Sequence, residues 1–415
     1  MKIKDVHVIN KYIPNFNDIL RCQDILYKTD VRKTPLQKSS TISNMVGADV
    51  YLKMEFLQRT GSFKVRGALC KINSLKENQL KNGIIAASAG NHAQGVAYAS
   101  SIRNIPCTIV MPVNASPAKI SATRAYNANV ILQGLDYDEA WIKTQELAEK
   151  KNMTIIHAFD DPQIIAGQGT IGLELLEDLP NMDEIYLPVG GGGLAAGVAI
   201  AVKTKKPNVK IIGVESKAFP AMKESLAKGI LSSKKGAHTI ADGIAVKSPG
   251  KLTFEIAQKY LDDVVLVDDE SIVNAMFLLM ERSKMVVEPA GAISLAYLLS
   301  NGHKHKNKKI ISLLSGGNVD MYLLGQIVTK GLMQMNRMLK IFIQLADKPG
   351  ALKSVVDGIS ELSVNIVEVI HDRLSSNIPA GTAGVYLSLE LENEKHANRL
   401  IQFLKKKNIN FKVVN

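Results

Sequence analysis

Residues 184–203 read EIYLPVGGGGLAAGVAIAVK, which is an apolar run, four consecutive glycines and a stretch rich in alanine and valine. The apolar run predicts a buried strand, and the stretch after the glycines predicts a helix. Glycines at such a junction let backbone N–H groups approach an anion, and the helix N-terminus adds a partial positive charge. Residues 184–203 therefore predict an open α/β sheet with an anion-binding loop at the carboxyl end of a strand.

The same glycines allow other interpretations. Gly190, Gly192 and Ala195 fit a loose dinucleotide-binding pattern, with Glu215 near the expected distance beyond them. A Walker A loop is excluded, because no Gly-Lys-Ser/Thr follows. A phosphate loop, a nicotinamide site and a turn that only permits close packing all remain open from these residues alone.

Outward from this stretch, runs rich in valine and isoleucine alternate with helical stretches between about residues 50 and 320. This βαβ rhythm predicts the α/β class, with largely parallel sheets covered on both faces. Strands are expected at residues 83–87, 107–111, 129–132, 154–159, 184–189, 210–215, 264–267 and 309–314.

The pattern changes near residue 335. Strand, turn, helix, two strands, helix and strand follow in the order βαββαβ, which is the ferredoxin-like plan. The expected elements are residues 339–345, 347–350, 351–362, 365–370, 383–391, 394–405 and 410–414. We therefore expect one domain over residues 1–334 and a smaller one over residues 335–415.

Composition narrows the class of protein. The chain of 415 residues has 51 Lys and Arg against 39 Asp and Glu, a formal net charge of +12, but the basic residues are scattered. This distribution argues against a nucleic-acid partner. Three cysteines at unrelated spacings indicate a reducing cytoplasm, and we expect neither a signal peptide nor a membrane-spanning segment.

Three further segments with glycines follow predicted strands or open predicted helices. In GSFKVRGA (61–68), Lys64 stands among small residues beside an aromatic, where desolvation would lower its pKa and free a nucleophilic amine. In ASAGNHAQG (87–95), Ser88, Asn91 and successive N–H groups could hold a carboxylate, or could only cap the next helix. SGGN (315–318) by itself is an ordinary turn.

Together these segments resemble the fold-type II pyridoxal-phosphate enzymes, and among them the threonine dehydratases (threonine ammonia-lyases). The motifs that carry the resemblance occur in the family's order: GSFKVRGA, SAGNHAQG, GGGGL, TIADGIAV, VEPAGA and SGGN. The resemblance implies a pyridoxal 5'-phosphate cofactor, with a smaller mobile subdomain at about residues 50–155. It also implies α,β-elimination of L-threonine to 2-oxobutanoate and ammonia, and of L-serine to pyruvate. Either isoleucine biosynthesis or threonine catabolism would use this reaction.

The resemblance also assigns roles to residues. Lys64 matches the lysine that binds the cofactor covalently and acts as base, Phe63 would lie against the cofactor ring, and Ser315 would face the ring nitrogen. Gly243 lies beside the cofactor in the family pattern, and Glu288 lines the same cavity. The phosphate would be held by Gly190, Gly191, Gly192, Gly193 and Leu194, and the 3' oxygen by Asn91. The substrate carboxylate would be held by Ser88, Ala89, Gly90, Asn91 and His92.

Two departures distinguish the chain from the related serine racemases. Racemases carry a serine where this chain has Ala89, and that hydroxyl delivers a proton to the opposite face, so racemisation should be poor. Racemases also have an aspartate metal ligand six residues after the glutamate that matches Glu215, where this chain has Ala221. We therefore expect no comparable divalent-metal site.

The C-terminal part resembles an ACT regulatory domain, with LADKPGAL (345–352) as its signature. It could bind an amino-acid effector such as isoleucine or valine, with residues 347–352 and Asn365 at the site, or serve only in assembly. The resemblance implies a homodimer or homotetramer. The rival functions are β-replacement, as in cysteine synthase, a racemase, and a non-catalytic amino-acid-binding protein.

Overall fold

The computed structural model describes residues 12–233, 236–302, 305–376 and 378–414. The chain divides into two compact units, Met1–Asp320 and Met321–Asn415. The first eleven residues, on which the expectation about a signal peptide rests, lie outside the described ranges.

The strands are numbered in chain order. They are β1 (Leu36–Lys38), β2 (Asp49–Met54), β3 (Ile84–Ala87), β4 (Cys107–Met111), β5 (Asn129–Leu132), β6 (Thr154–Ile155), β7 (Glu184–Pro188), β8 (Lys210–Ser216), β9 (Asp263–Val267), β10 (Lys309–Leu314), β11 (Met338–Ala346), β12 (Asn365–Asp372), β13 (Thr382–Glu390) and β14 (Phe411–Val413).

The helices are numbered in the same way. They are α1 (Phe16–Leu26), α2 (Ser40–Val46), α3 (Lys64–Ser74), α4 (Glu77–Leu80), α5 (Asn91–Ile102), α6 (Pro117–Arg124), α7 (Tyr137–Lys151), α8 (Pro162–Asp178), α9 (Gly193–Lys205), α10 (Ala221–Lys228), α11 (Lys251–Tyr260), α12 (Asp269–Leu278), α13 (Pro289–Asn301), α14 (Met321–Gln334), α15 (Ala351–Glu361) and α16 (Glu394–Lys406).

The larger sheet of the first unit has the order β1-β2-β10-β7-β8-β9. Every neighbouring pair in it is parallel except β1 with β2. Its central strands β7 and β10 are buried along almost their whole length, as expected for strands covered on both faces. Helices α8 and α9 are also buried over most of their length and pack against each other. The expected parallel α/β class is confirmed.

A second, wholly parallel sheet has the order β5-β4-β3-β6, and helices α5 and α7 pack against it. The chain then returns to α8 through residues 157–161. Helix α8 begins at this return because the carboxylate of Asp161 accepts the N–H groups of Gln163 and Ile164, and Pro162 occupies its first position.

The second unit has the order β11-α15-β12-β13-α16-β14 between residues 338 and 413, as the sequence predicts. Its strands form an antiparallel sheet in the order β12-β13-β11-β14. The inner strands contribute Ile343, Val385 and Leu387 to a core that Ile359 of α15 and Leu400 of α16 cover.

Three boundaries differ from the expectations. Strand β6 ends at Ile155 instead of continuing to residue 159, because residues 157–161 form a turn. Strand β2 pairs with β10, so the segment that belongs to the smaller sheet begins after residue 54 rather than at 50. The units divide after Asp320 rather than near 335, because α14 packs on β11.

None of the helices in the described ranges combines the length and the apolar character that crossing a bilayer would require.

Candidate active site

One cavity of the first unit, about 580 Å³ in volume, lies where the ends of the two parallel sheets meet. All the residues that the sequence assigns to cofactor or substrate line it. They are Phe63, Lys64, Ser88, Ala89, Gly90, Asn91, His92, Gly190, Gly191, Gly192, Gly193, Leu194, Gly243 and Ser315, together with Glu288. Segments about 250 residues apart in the sequence, such as those of Phe63 and Ser315, thus line one cavity.

Lys64 begins α3, and its position is fixed by the SGGN turn. Residues 61–63 and 315–317 form a short antiparallel pair, in which Phe63 N–H donates to the carbonyl oxygen of Ser315 (3.2 Å). Gly317 N–H donates in turn to the carbonyl oxygen of Gly61 (2.9 Å), and Ser62 bridges Gly316. The SGGN turn is therefore more than a chain reversal, since it holds the backbone that carries Lys64.

The amine of Lys64 has no carboxylate partner within hydrogen-bonding distance among the described residues. Its Nζ donates to the carbonyl oxygen of Ala158 (3.0 Å) and lies 5.3 Å from the ring centroid of Phe63. Burial lowers the pKa of Lys64 to about 8, and the negative charge of Glu288 opposes this shift only in part. A substantial fraction of this amine is therefore neutral near physiological pH, which a nucleophile or base needs.

The four glycines bend the chain from β7 into α9. Gly192 has a φ of +93°, which favours glycine, and a Cβ at Gly191 would collide with the ring of Phe159. No side chain caps the first turn of α9 in the structure as described. The N–H groups of that turn are thus left for a ligand, and they suit an anion such as a phosphate.

Asn91 is held in one orientation by two residues. Its Nδ2 donates to Oε1 of Glu288 (2.7 Å), and its Oδ1 accepts from Nδ2 of Asn318 (2.7 Å). Asn318 also donates to the carbonyl oxygen of Thr60 (2.7 Å). Burial and the charge of Asp242 raise the pKa of Glu288 to about 7. Asn318 belongs to the SGGN motif, but the motif alone assigned no role to it.

The loop between β3 and α5 presents Ser88 and the backbone of residues 89–91 to the cavity. The hydroxyl oxygen of Ser88 accepts Gly90 N–H (3.1 Å), so it does not cap α5. His92 lines the cavity, but its Nε2 contacts the carbonyl oxygen of Ile156 (3.0 Å), and burial lowers its pKa to about 3. With that pKa the ring is neutral near pH 7, and its proton is on Nε2 because a carbonyl only accepts. The side chain of His92 therefore does not supply a cation for a carboxylate.

Ion pairs at the rim of the cavity join α6 and α7 to the loop of residues 239–248. Lys119 pairs with Asp242 (2.5 Å), and Lys247 pairs with Asp136 (3.1 Å) and Asp138 (2.5 Å). The sequence does not single out these residues, because lysine and aspartate at the surface of a protein carry no distinguishing pattern.

Glu215 does not line the cavity. Its two carboxylate oxygens accept the N–H groups of Met222 (2.8 Å) and Lys223 (2.9 Å) at the start of α10, and burial raises its pKa to about 7. This carboxylate is therefore not placed as the ribose partner of a nicotinamide cofactor. The expectation that the chain has no divalent-metal site stays a prediction.

The residues present fit a cofactor that carries an aldehyde and a phosphate. An uncapped helix N-terminus suits the phosphate, and an amine with a lowered pKa suits the aldehyde. The model of the family described as "Pyridoxal-phosphate dependent enzyme" matches residues 27–316.

Named relatives agree with this match. The chain is 46% identical over 399 residues to an L-threonine ammonia-lyase of Thermotoga maritima, covering 96% of this chain and 98% of the relative. It resembles the processed form of threonine deaminase isoform 2 from Solanum lycopersicum, with a TM-score of 0.72 and 36% identity, covering 79% of this chain and 93% of that one. It also resembles maize serine racemase, with a TM-score of 0.73 and 36% identity, covering 78% and 100%. On the match of the family model and the identity with these relatives, this chain belongs to the pyridoxal-phosphate dependent enzymes.

Proposed function

We propose that the protein is a pyridoxal-phosphate-dependent threonine ammonia-lyase, which converts L-threonine to 2-oxobutanoate and ammonia and accepts L-serine to give pyruvate. The observation that carries the proposal is the amine of Lys64, desolvated in the same chamber as the anion-binding turn and the Ser88 loop. The identity with the ammonia-lyase of Thermotoga maritima supports the choice of substrate.

Different residues of the cavity would hold the cofactor and the substrate. Residues 190–194 would hold the phosphate, Asn91 the 3' oxygen, Phe63 one face of the ring and Ser315 the ring nitrogen. Ser88 and the N–H groups after it would bind the substrate carboxylate. The cofactor, when bound, supplies the electron sink that makes the Cα proton of the amino acid acidic.

Lys64 then moves the proton. Its neutral Nζ takes the proton from Cα, the electron pair forms the Cα–Cβ double bond, and the β-hydroxyl group leaves with a proton as water. The released enamine takes up one water, which yields the 2-oxo acid and ammonia. The hydroxyl of Ser315 would hydrogen-bond the ring nitrogen without protonating it, so the ring would withdraw electrons less strongly than it would opposite a carboxylate, which suits elimination.

The similarity to maize serine racemase makes racemisation a second candidate. Ala89 argues against it, because a methyl group in the Ser88 loop has no proton to deliver to Cα. A β-replacement activity is the third candidate, and the two-unit organisation gives it no specific support.

Product analysis separates the three candidates. Purified protein loaded with pyridoxal phosphate is incubated with L-threonine, with L-serine, and with O-acetylserine plus sulfide. We expect 2-oxobutanoate and ammonia in equal amounts from threonine, with little D-serine and little cysteine from the other mixtures. Cysteine as the main product, with threonine left intact, would transfer the proposal to β-replacement.

We further propose that the second unit is an ACT-like regulatory domain, and a cavity in it supports an effector site. A cavity of about 300 Å³ is lined by residues 345–353 with His371, Arg373 and Ala383. Asn365 does not line it, because it lies at the opposite end of β12 and donates to Glu390 (3.0 Å). Within one copy of the chain, the two parts of the expected effector site are thus apart.

Pairing of two copies would bring these parts together. Strand β12 is an edge strand, and its Val367, Val369 and Ile370 are exposed, an arrangement that proteins usually cover. If two β12 strands pair in antiparallel fashion, Asn365 of one copy lies beside the residue 347–352 loop of the other. We therefore propose that the protein is a cytoplasmic homodimer or homotetramer. Its isoleucine or valine site would lie between two such domains.

A further inference from the structure

Residues 157–161, HAFDD, connect β6 of the smaller sheet to α8, and they contact several parts of the active site. The Nδ1 atom of His157 accepts the N–H groups of Phe159 (3.2 Å) and Asp160 (2.8 Å), which folds the segment into a turn. The carbonyl oxygen of Ala158 accepts from Lys64, and the Phe159 ring packs against Gly191. This turn therefore contacts both the amine of Lys64 and the four glycines of residues 190–193, the glycine loop.

Asp160 extends from the turn to the N-terminus of α11, more than ninety residues further along the chain. Its Oδ1 accepts the N–H groups of Leu252 (2.9 Å) and Thr253 (3.2 Å), and its Oδ2 accepts that of Lys251 (3.0 Å). Helix α11 has Gly250 as its own cap residue, and a Cβ there would collide with the carboxylate of Asp160. Asp160 thus replaces a local cap and fixes the first turn of α11.

Thr253, in the first turn of α11, connects this helix to the glycine loop by a hydrogen bond. Thr253 is completely buried, and its Oγ1 donates to the carbonyl oxygen of Gly191 (2.6 Å). Gly250 N–H donates to the same oxygen (3.2 Å). In a trans peptide the carbonyl oxygen and the following N–H point in opposite directions. The contact with Thr253 therefore fixes the N–H of Gly192, which lines the cavity, on the side away from α11.

We propose that Asp160 and Thr253 are positioning residues for the cofactor phosphate. Asp160 holds the first turn of α11, Thr253 in that turn holds the carbonyl oxygen of Gly191, and the N–H groups that follow are thereby preorganised for an anion. The proposal rests on the cofactor site of the proposed function and is independent of the amino-acid substrate.

The neighbouring Asp161 provides a matched control. It also caps a helix, accepting Gln163 N–H (2.9 Å) and Ile164 N–H (3.2 Å) at the start of α8, and it pairs with Lys71 (2.6 Å). Asp161 does not line the cavity and has no contact with the glycine loop among the described interactions. Asp160→Ala and Asp161→Ala each remove a helix cap. Only Asp160→Ala removes the cap of α11, the helix that holds the carbonyl oxygen of Gly191.

The experiment measures binding of pyridoxal phosphate, and of pyridoxal without phosphate, to cofactor-free protein. The chain has one tryptophan, Trp141, whose ring centroid lies 5.2 Å from that of His157, and the experiment follows binding by its fluorescence together with the absorbance of the bound cofactor. Asp160→Ala and Thr253→Val should each weaken pyridoxal phosphate binding about tenfold or more, since each disrupts hydrogen bonds that order a charged site. Thr253→Ser should restore it, and Asp161→Ala should leave it within about twofold of wild type.

Further comparisons distinguish positioning from a general loss of stability. Pyridoxal binding should be almost unchanged in all variants, because pyridoxal has no phosphate for the glycine loop to bind. The Asp160→Ala/Thr253→Val double variant should bind about as weakly as either single variant, since both act through the Gly191 carbonyl. Equal losses for Asp161→Ala, equal losses for pyridoxal, or multiplied losses in the double variant would each overturn the proposal. Failure of wild type to bind pyridoxal phosphate would instead contradict the proposed function.

Discussion

The side chain of Lys64 ends beside a carbonyl oxygen rather than a carboxylate, and this choice of partner decides its chemistry. A carbonyl accepts a hydrogen bond from either protonation state, so it does not restore the pKa that burial has lowered to about 8. At pH 7 about a tenth of this amine is neutral, compared with about 0.04% of an ordinary lysine.

The first prediction concerns the pH dependence of cofactor capture. Because only the neutral amine attacks an aldehyde, the rate at which cofactor-free protein binds pyridoxal phosphate covalently should rise with pH and level off above about 8. Stopped-flow absorbance measures this rate. A rate that continues to climb to pH 10 would mean that Lys64 has an ordinary pKa.

The second prediction concerns Ala89, which lines the cavity in the Ser88 loop. Ala89→Ser introduces a hydroxyl that can carry a proton, so D-serine formation from L-serine should rise at least about tenfold, which is less than the roughly hundredfold or more that a well-positioned acid or base contributes. Ala89→Gly changes the size of the residue without adding a hydroxyl and serves as control. Chiral chromatography of the products measures the outcome, and equal D-serine from both variants would exclude this role for position 89.

At the residue scale, the sequence singles out residues whose type is rare for their setting. A lysine among small residues marked Lys64, and glycines after a strand marked residues 190–193, and the structure brings both to one cavity. Asp160, Thr253 and Asn318 were not identified, because a capping aspartate, a helical threonine and an asparagine in a turn are common in any fold. Their importance comes from partners that are more than sixty residues away in the sequence.

Among the elements, α3 is anchored by a buried ionic network below the active site. Arg66 donates from Nε and a terminal nitrogen to the two carboxylate oxygens of Glu55 (2.9 and 2.8 Å), and it also pairs with Glu174 (2.6 Å). Lys53 of β2 pairs with the other oxygen of Glu174 (2.5 Å). The two positive charges equal the two negative charges in number. The four side chains join β2, α3 and α8, and Arg66 lies two residues after Lys64 in α3.

The third prediction concerns this network. Arg66→Met leaves two buried carboxylates with a single lysine, so the free energy of unfolding should fall by about 3–5 kcal/mol. Lys38→Met, which breaks the exposed pair of Lys38 with Asp49, should cost less than about 1 kcal/mol. Urea denaturation measures both variants. Equal losses would show that the Arg66 network contributes no more than a surface pair.

Buried polar contacts explain two of the differences between the expected and the observed strands. Strand β2 reads DVYLKM, and Lys53 within it is an unusual residue for a buried strand until its partner on α8 is known. The strand expected at residues 154–159 stopped at Ile155, because His157 accepts two N–H groups that a strand would have used in pairing. Apart from β1, β2 and β6, the strands were predicted to within one or two residues.

For the whole molecule, the division into two units separates the proposed chemistry from the proposed regulation. The sequence placed the boundary near residue 335, because a strand begins there. Helix α14 has no pattern that assigns it to either side, so its membership of the second unit required its packing on β11.

The fourth prediction concerns effector binding by the intact protein. If isoleucine binds between two copies of the second unit, Asn365→Ala should weaken isoleucine binding about tenfold, since it removes a hydrogen bond to a charged ligand. Lys395→Ala, at an exposed position of α16, should leave it unchanged. Calorimetric titration measures the affinity, and unchanged binding in the Asn365 variant would remove Asn365 from the effector site.

A proton NMR time course of L-threonine, with pyridoxal-phosphate-loaded wild type and with Lys64→Ala, tests most directly whether Lys64 carries the elimination. We predict that wild type converts threonine to 2-oxobutanoate with one ammonia for each molecule, and that Lys64→Ala loses at least about a thousandfold in rate while still binding the cofactor non-covalently. Intact threonine after incubation with cofactor-loaded wild type, or turnover retained by Lys64→Ala, would contradict the assignment.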